Sequence, residues 1–289
     1  MYDVIVIGGG PAGASAAIYL QRFRLKVLMI MKDLGTLGKT NHIDNYWAFE
    51  NTVSGQHLVE QGVAQAERLG VTVVEEEVIG IENFEDYVVK TTRSEFQGKT
   101  VLIATGQAKP NLKVKGFKEY IGKGVSFCAI CDGFIYRNKK IGVIGNAEFM
   151  LEELEVLRNF TKDITVFTNG LGLPLHIEEE ITEKLITDPL CEIQGDEVVK
   201  KVVTEEAEYE VDGLFIAIGT PSANDFALRI GAFIENNYIV VDENHMTNVP
   251  GLFAAGDCIG GLLQVVKAAS DGAHAAIAIN KYLKTLKTV

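Results

Sequence analysis

Asp3 to Ile7 form an unbroken apolar run behind one acid, the pattern of a short strand buried on both faces. The helix-forming run Ala14 to Leu20 follows, and a second apolar strand at Val27 to Ile30 closes a compact βαβ unit. Further strands of the same kind are predicted within Val101 to Gly106, at Lys140 to Ile144, at Ile164 to Phe167 and within Thr247 to Asp257. A last helix is predicted from about Gln264. Strands separated by helical segments predict an α/β fold with parallel sheets.

The turn after the first strand reads Gly8, Gly9, Gly10, Pro11, Ala12, Gly13. A Gly-x-Gly-x-x-Gly spacing is weak alone, but between a strand and a helix it marks a dinucleotide site. Gly8 permits the tight turn, Gly10 lets the backbone approach a pyrophosphate, and Gly13 lets the helix lie close to the sheet. The free N–H groups at the helix start then hold the anion. One expected element is missing. The second strand should end in an acid for a ribose diol, but it reads Ile30, Met31, Lys32, Asp33, leaving Asp33 or some other group to hold the sugar.

Composition bounds the possibilities. The 289 residues suggest two domains, and 47% hydrophobic with 23% charged residues describes a soluble globular chain. Apolar runs reach only about six residues, against about 20 for a membrane span. The first strand begins almost at Met1 with no basic and apolar leader, so the cytoplasm is expected. A formal charge of −12 argues against nucleic acid as a partner. Of the four cysteines, Cys128 and Cys131 stand as Cys-x-x-Cys, while Cys191 and Cys258 read as ordinary small side chains. A two-residue spacer lets two thiols close into a disulfide. Zinc would need about four ligands, and no second cysteine pair or nearby histidine pair supplies them, so no metal is expected.

Three segments far apart in sequence now converge on one family. The glycine turn, Ala104-Thr105-Gly106 after a buried strand, and Gly256-Asp257 ahead of a helix together resemble the two-dinucleotide flavoproteins. Cys128 to Gly133 reads Cys-Ala-Ile-Cys-Asp-Gly, where the low-molecular-weight thioredoxin reductases carry Cys-Ala-Thr-Cys-Asp-Gly. The chain follows that family's order over nearly its whole length. The resemblance implies two Rossmann-like domains, the second inserted into the first, and a homodimer. It implies FAD held by Gly8, Gly10, Pro11, Ala12, Gly13, Asn45, Thr105, Gly106, Gly256, Asp257, Gln264 and Val265. Trp47, beside Asn45, is placed to stack near the ring or simply to be buried. Cys131 would face the flavin, Cys128 would attack the disulfide of thioredoxin or a thioredoxin-like protein, and Asp132 would move the proton.

The inserted domain should repeat the nucleotide turn, and here the chain departs from the family. After Lys140 to Ile144 the family continues Gly-Gly-Gly-Asp-Ser-Ala; this chain reads Gly145, Asn146, Ala147, Glu148, Phe149, Met150. Ala147 puts a methyl group where backbone should meet the pyrophosphate, and Phe149 and Met150 add bulk at the helix start. After Ile164 to Phe167 the family has His-Arg-Arg, whose arginines clamp the NADPH 2′-phosphate; this chain reads Thr168, Asn169, Gly170. NADPH is therefore not expected to bind. The residues resemble the pyridine-nucleotide-independent, ferredoxin-dependent flavin thioredoxin reductases, which implies reduced ferredoxin as donor. An acidic ferredoxin would need a local basic surface. Lys109, Lys113, Lys115, Lys118 and Lys123, or Arg22, Arg24 and Lys26, could supply one, or could form solvated faces. Two other readings stay open: an NADPH-dependent thioredoxin reductase with an atypical nucleotide site, and a flavin-bound redox sensor without turnover. The domains are expected at 1–112 with 236–289, for FAD, and at 113–235, for the cysteines. Asn111 to Gly116 and Gly231 to Asn237 are the expected hinge strands.

Overall fold

A computed structural model describes residues 1–107, 112–127, 129–219 and 221–286, with the side chains of Ile130 and Cys131 excepted. The chain forms two compact units, Met1–Ala108 with Ser222–Val289, and Lys109–Pro221. Each is an α/β unit of the Rossmann-like kind.

In the first unit, β1 (Tyr2–Ile7) leads into α1 (Pro11–Arg22), and β2 (Val27–Met31) returns parallel to β1. Next come α2 (Gly55–Arg68), β3 (Thr72–Glu75), β4 (Val78–Asn83), β5 (Tyr87–Thr91) and the long β6 (Glu95–Ile103). The sheet order is β3-β2-β1-β6-β5-β4. The N-terminal half of β6 pairs antiparallel with β5, and its C-terminal half runs parallel to β1. Apolar runs without polar alternation arise because both sheet faces are covered. Val4, Val6 and Leu102 join one buried cluster, under α1; Ile5, Ile7, Val101 and Ile103 join another on the opposite face.

The second unit holds β7 (Val125–Ser126), α3 (Ala129–Asp132), β8 (Ile141–Gly145), α4 (Glu148–Leu157), β9 (Ile164–Phe167), α5 (Leu175–Glu178) and β10 (Lys184–Ile186). An antiparallel sheet, β11 (Leu190–Gly195), β12 (Val199–Thr204) and β13 (Glu208–Glu210), precedes β14 (Gly213–Ala217). The parallel sheet runs β10-β9-β8-β14-β7. Its faces separate by the same two-residue alternation: Leu214 and Ile216 enter one cluster, Phe215 and Ala217 the other. The chain then re-enters the first unit through α6 (Ala223–Arg229), β15 (Ile234–Glu235), β16 (Tyr238–Ile239), β17 (Leu252–Ala254) and α7 (Val265–Leu286). β17 pairs parallel with the C-terminal half of β6.

The crossing points differ from the sequence-based 112/113 and 235/236. They fall at 108/109 and 221/222. Leu112 and Val114 belong to a cluster of the second unit. Ala223, Phe226, Ala227 and Ala232 pack with Ile5 and Ile103 in the first, so Gly231 to Asn237 lies inside that unit instead of at its edge. Asn111 lies outside the described residues. Among the described residues no helix is long and apolar enough to cross a membrane.

One ion pair ties the C-terminal end of α4 to the segment before β10. Arg158 Nε and a terminal nitrogen donate to the two Glu183 oxygens at 2.7 and 2.8 Å. The Arg158 hydrogen bonds hold the Glu183 carboxyl below its ordinary range, against the opposing effect of burial. Its stabilisation is therefore present above the ordinary carboxylate range and is lost as pH falls through the lowered folded value. Glu183→Gln is expected to cost about 1.5–3 kcal/mol at neutral pH. In urea unfolding of the two proteins, the gap should narrow steadily on acidification.

Candidate functional site

The carboxyl ends of β1, β6 and β17 bring three turns together. Gly8 has φ +114° and donates its N–H to Ile30 O at 2.7 Å. A side chain there would place Cβ 2.3 Å from Ala104 O. At Gly13 a Cβ would lie 1.8 Å from Gly8 O, so α1 can only meet β1 this closely through hydrogen. Ala12 is approached from a third direction: a Cβ on Gly256 would stand 2.9 Å from Ala12 Cβ, and one on Gly272 only 2.0 Å from Ala12 O. Gly10 is different. Its φ is −71°, and a Cβ there would meet nothing within 4 Å. No side chain caps α1, and Pro11 occupies its first turn without needing a donor. The start of α1 is thus uncapped by any side chain and open beside Gly10, a cradle suited to a pyrophosphate.

The other predicted residues of the first unit lie on separate segments of it. Asn45 Nδ2 donates to Gln264 Oε1 at 2.8 Å, joining two segments 219 positions apart. Gln264 directly precedes Val265, the first residue of α7. Thr105 is exposed, and Gly106 turns with φ +71° just past β6. Asp257 is partly buried, and burial pushes its carboxyl above the ordinary range; the Lys267 charge opposes this and the Asp271 charge adds to it. Asp33 Oδ1 accepts the Gly35 N–H at 2.7 Å, so this acid shapes its own turn. Trp47 is 79% exposed, so the simple burial considered for it does not occur. Cys258 is a core thiol, donating toward Ala255 O at 3.3 Å, and burial pushes it up to about 12. It is not a nucleophile at neutral pH.

In the second unit, Cys128 lies outside the described residues, as does the side chain of Cys131. The framework around them is described. Ala129 is buried, and its N–H donates to Glu153 Oε2 at 2.7 Å. Asp132 Oδ2 accepts the Ser126 hydroxyl at 2.6 Å. Sequence reasoning missed Glu153 and Ser126. Glu153 falls on the buried stripe of α4 with Phe149, Met150, Leu154 and Leu157, so helical period alone marks it as an acid in the core. Only tertiary packing shows which donor it meets. Cys191 is exposed on β11.

The second glycine turn begins like the first. A Cβ on Gly145 would lie 2.4 Å from Ala217 O, as one on Gly8 would lie against Ala104 O. The likeness ends at the helix. Asn146 Nδ2 reaches Gly172 O at 3.5 Å, and Ala147 occupies the N-cap of α4. Glu148 puts a carboxylate in the first turn, where it meets His176 Nε2 at 3.2 Å. An anionic side chain is favourable at a helix N-terminus and repels a second anion there. Phe149 and Met150 do not obstruct this position as expected from sequence; both turn into the hydrophobic core. After β9, Thr168 is buried with no partner for its hydroxyl among the described residues, and Asn169 Oδ1 accepts the Leu190 N–H at 2.8 Å. None of these groups is cationic. Of the sequence-predicted lysine cluster, Lys109 lies outside the described residues, Lys115 pairs with Glu192 at 2.7 Å, and Lys113, Lys118 and Lys123 are exposed.

Comparisons with known proteins agree in family. Residues 2–273 match the family described as pyridine nucleotide-disulphide oxidoreductase. A thioredoxin reductase of Aquifex aeolicus is 35% identical, with 100% of this chain and 95% of that protein covered. The crystal structure of the atypical thioredoxin reductase TRi from Desulfovibrio vulgaris Hildenborough is 31% identical, covers 99% of each chain and superposes with a TM-score of 0.89. A ferredoxin-flavin thioredoxin reductase from Clostridium acetobutylicum is 26% identical, covering 100% and 99% of the two chains with a TM-score of 0.67.

The glycines of the first turn make separable demands. Gly13→Ala is expected to cost about 3 kcal/mol or more, because its methyl group must displace backbone. Gly10→Ala should cost about 1 kcal/mol or less, the difference between glycine and alanine at an N-cap. Urea denaturation of the two variants checks the contrast.

Proposed function

The chain belongs to the pyridine nucleotide-disulphide oxidoreductase family, and on that premise we propose that it is a flavin-dependent disulfide reductase of the thioredoxin reductase type, driven by reduced ferredoxin. The open cradle fits FAD. Gly8, Gly10, Pro11, Ala12 and Gly13 would receive the pyrophosphate at the α1 N-terminus. Thr105, Gly106, Gly256, Asp257, Asn45, Gln264 and Val265 would line the remainder of the site. When bound, FAD would supply the chemistry that this chain's side chains lack: it accepts electrons singly and delivers them in pairs.

The protein's own residues then carry the exchange. The Cys128 thiolate attacks one sulfur of the disulfide in thioredoxin or a thioredoxin-like partner, forming a mixed disulfide and expelling a thiolate. Asp132, held by the Ser126 hydroxyl, is the group that protonates the leaving sulfur. Cys131 next attacks Cys128, closing the Cys128–Cys131 disulfide and releasing the partner's second thiol. Two electrons and two protons pass to the partner, and the pair must be reduced again. The Glu153 carboxylate, by accepting the Ala129 N–H, fixes the backbone between the two cysteines.

The single observation that carries the choice of donor is the Glu148 carboxylate at the α4 N-terminus, paired with His176. It stands where a pyrophosphate would dock in a second nucleotide turn. The absence of arginine at Thr168, Asn169 and Gly170 supports the same reading, since a 2′-phosphate would meet no cation at those three positions.

Anaerobic titration distinguishes the donors. Reduced ferredoxin is expected to bleach the bound flavin rapidly, with negligible bleaching by NADPH or NADH; fast bleaching at micromolar NADPH would overturn the ferredoxin assignment. Cys131→Ser should trap a stable mixed disulfide with thioredoxin, while Cys128→Ser should trap none and lose all reductase activity.

A further inference from the structure

Lys267 and Asp271 stand one helical turn apart at the start of α7, with Nζ 2.7 Å from Oδ2 and side chains only 19% and 11% exposed. A surface pair at this spacing contributes little and serves mainly the helix. This pair points elsewhere. Asp271 Oδ2 accepts the Gly256 N–H at 3.1 Å, while Lys267 Nζ donates to Gly256 O at 3.1 Å and also to Gly260 O. An ammonium group has three hydrogens, and Gly256 O, Gly260 O and Asp271 use all of them.

Both backbone groups of Gly256 are therefore held by one ion pair. Gly256 lies between β17 and the short 3₁₀ turn Asp257–Ile259; within that turn its carbonyl also accepts the Ile259 N–H at 3.2 Å, whereas its own N–H is met by the Asp271 side chain. Its φ of +86° and ψ of −150° belong to a region open essentially to glycine. Such a backbone keeps its shape only where its surroundings over-determine it. Ala12 limits it on one side, and the ion pair fixes its two hydrogen-bonding groups.

We propose that Lys267 and Asp271 are a positioning pair for the flavin nucleotide site, clamping the Gly256 turn so that Asp257 is presented beside the α1 N-terminus. The inference rests on the flavin reading above and adds to it two residues that contact the turn and not the reacting atoms. A pair serving stability alone behaves differently. Neutralising both of its members removes the cost of burying charge, and every property should then recover together.

The test uses the full chain, stripped of flavin and titrated with FAD by fluorescence quenching, alongside the thermal midpoint of the apoprotein and the visible spectrum of the bound flavin. Lys267→Met with Asp271→Asn is expected to keep an apoprotein midpoint near the wild type. It should nevertheless bind FAD at least about tenfold more weakly, the loss expected for hydrogen bonds to charged groups. Its bound-flavin spectrum should shift. Lys267→Gln, a milder change, should weaken FAD in the same direction, and Lys267→Arg should restore most of the affinity. FAD affinity within twofold of the wild type in the double variant would overturn the clamp. A wild-type chain that takes up no FAD would instead sink the flavin reading on which the clamp rests.

Discussion

The first unit is organised around backbone contacts too close for a side chain. Gly13 lies against the carbonyl of Gly8, Gly8 against that of Ala104, and Gly272 against that of Ala12. These contacts seat the start of α1 on the ends of β1 and β6, and they draw α7 across the start of α1. The same closeness leaves the α1 N-terminus uncapped on its outer side. Close packing and an uncapped helix start thus share one cause. Where backbone meets backbone without intervening methyl groups, the remaining N–H donors are pushed together at one edge.

The second unit starts from the same plan and reverses its electrostatics. Gly145 makes the same close approach to a neighbouring strand end. Three residues later the chain puts Glu148 at the helix start, and the dipole that would favour a phosphate favours this carboxylate instead. The strand, turn and helix persist because their hydrophobic faces remain paired. Fold and helix-end chemistry are separable here: burial maintains the first, and a few polar side chains at the helix end set the second.

Each unit also uses a buried carboxylate to hold a backbone N–H outside the sheet ladders. Asp271 accepts the N–H of Gly256, and Glu153 accepts that of Ala129. A turn leaves backbone groups without ladder partners, and leaving them unsatisfied in the interior is costly. In both cases the carboxylate comes from a helix, so the turn's geometry is tied to a rigid element. Asp271 has Lys267 as its counter-ion.

Local pattern determined much of this protein. Uninterrupted apolar runs marked β1, β2, β8 and β9, and the glycine spacing marked the close turn at the start of α1; the proposed chemistry of Cys128 and Cys131 rests on sequence. The absence of arginine after β9 was equally legible, because an absent charge needs no structure to be seen. Tertiary structure alone decided which way Phe149 and Met150 face, since a residue beside a ligand turn can equally belong to the core below it. It also moved the second crossing point to 221/222, because Phe226 and Ala227 pack against strands more than a hundred residues earlier in the chain. The sequence shows Lys267 and Asp271 at helical spacing, but not the Gly256 and Gly260 carbonyls that Lys267 meets or the Gly256 N–H that Asp271 accepts. Periodicity records which residues share a face of one element; only the folded chain brings a second element to that face.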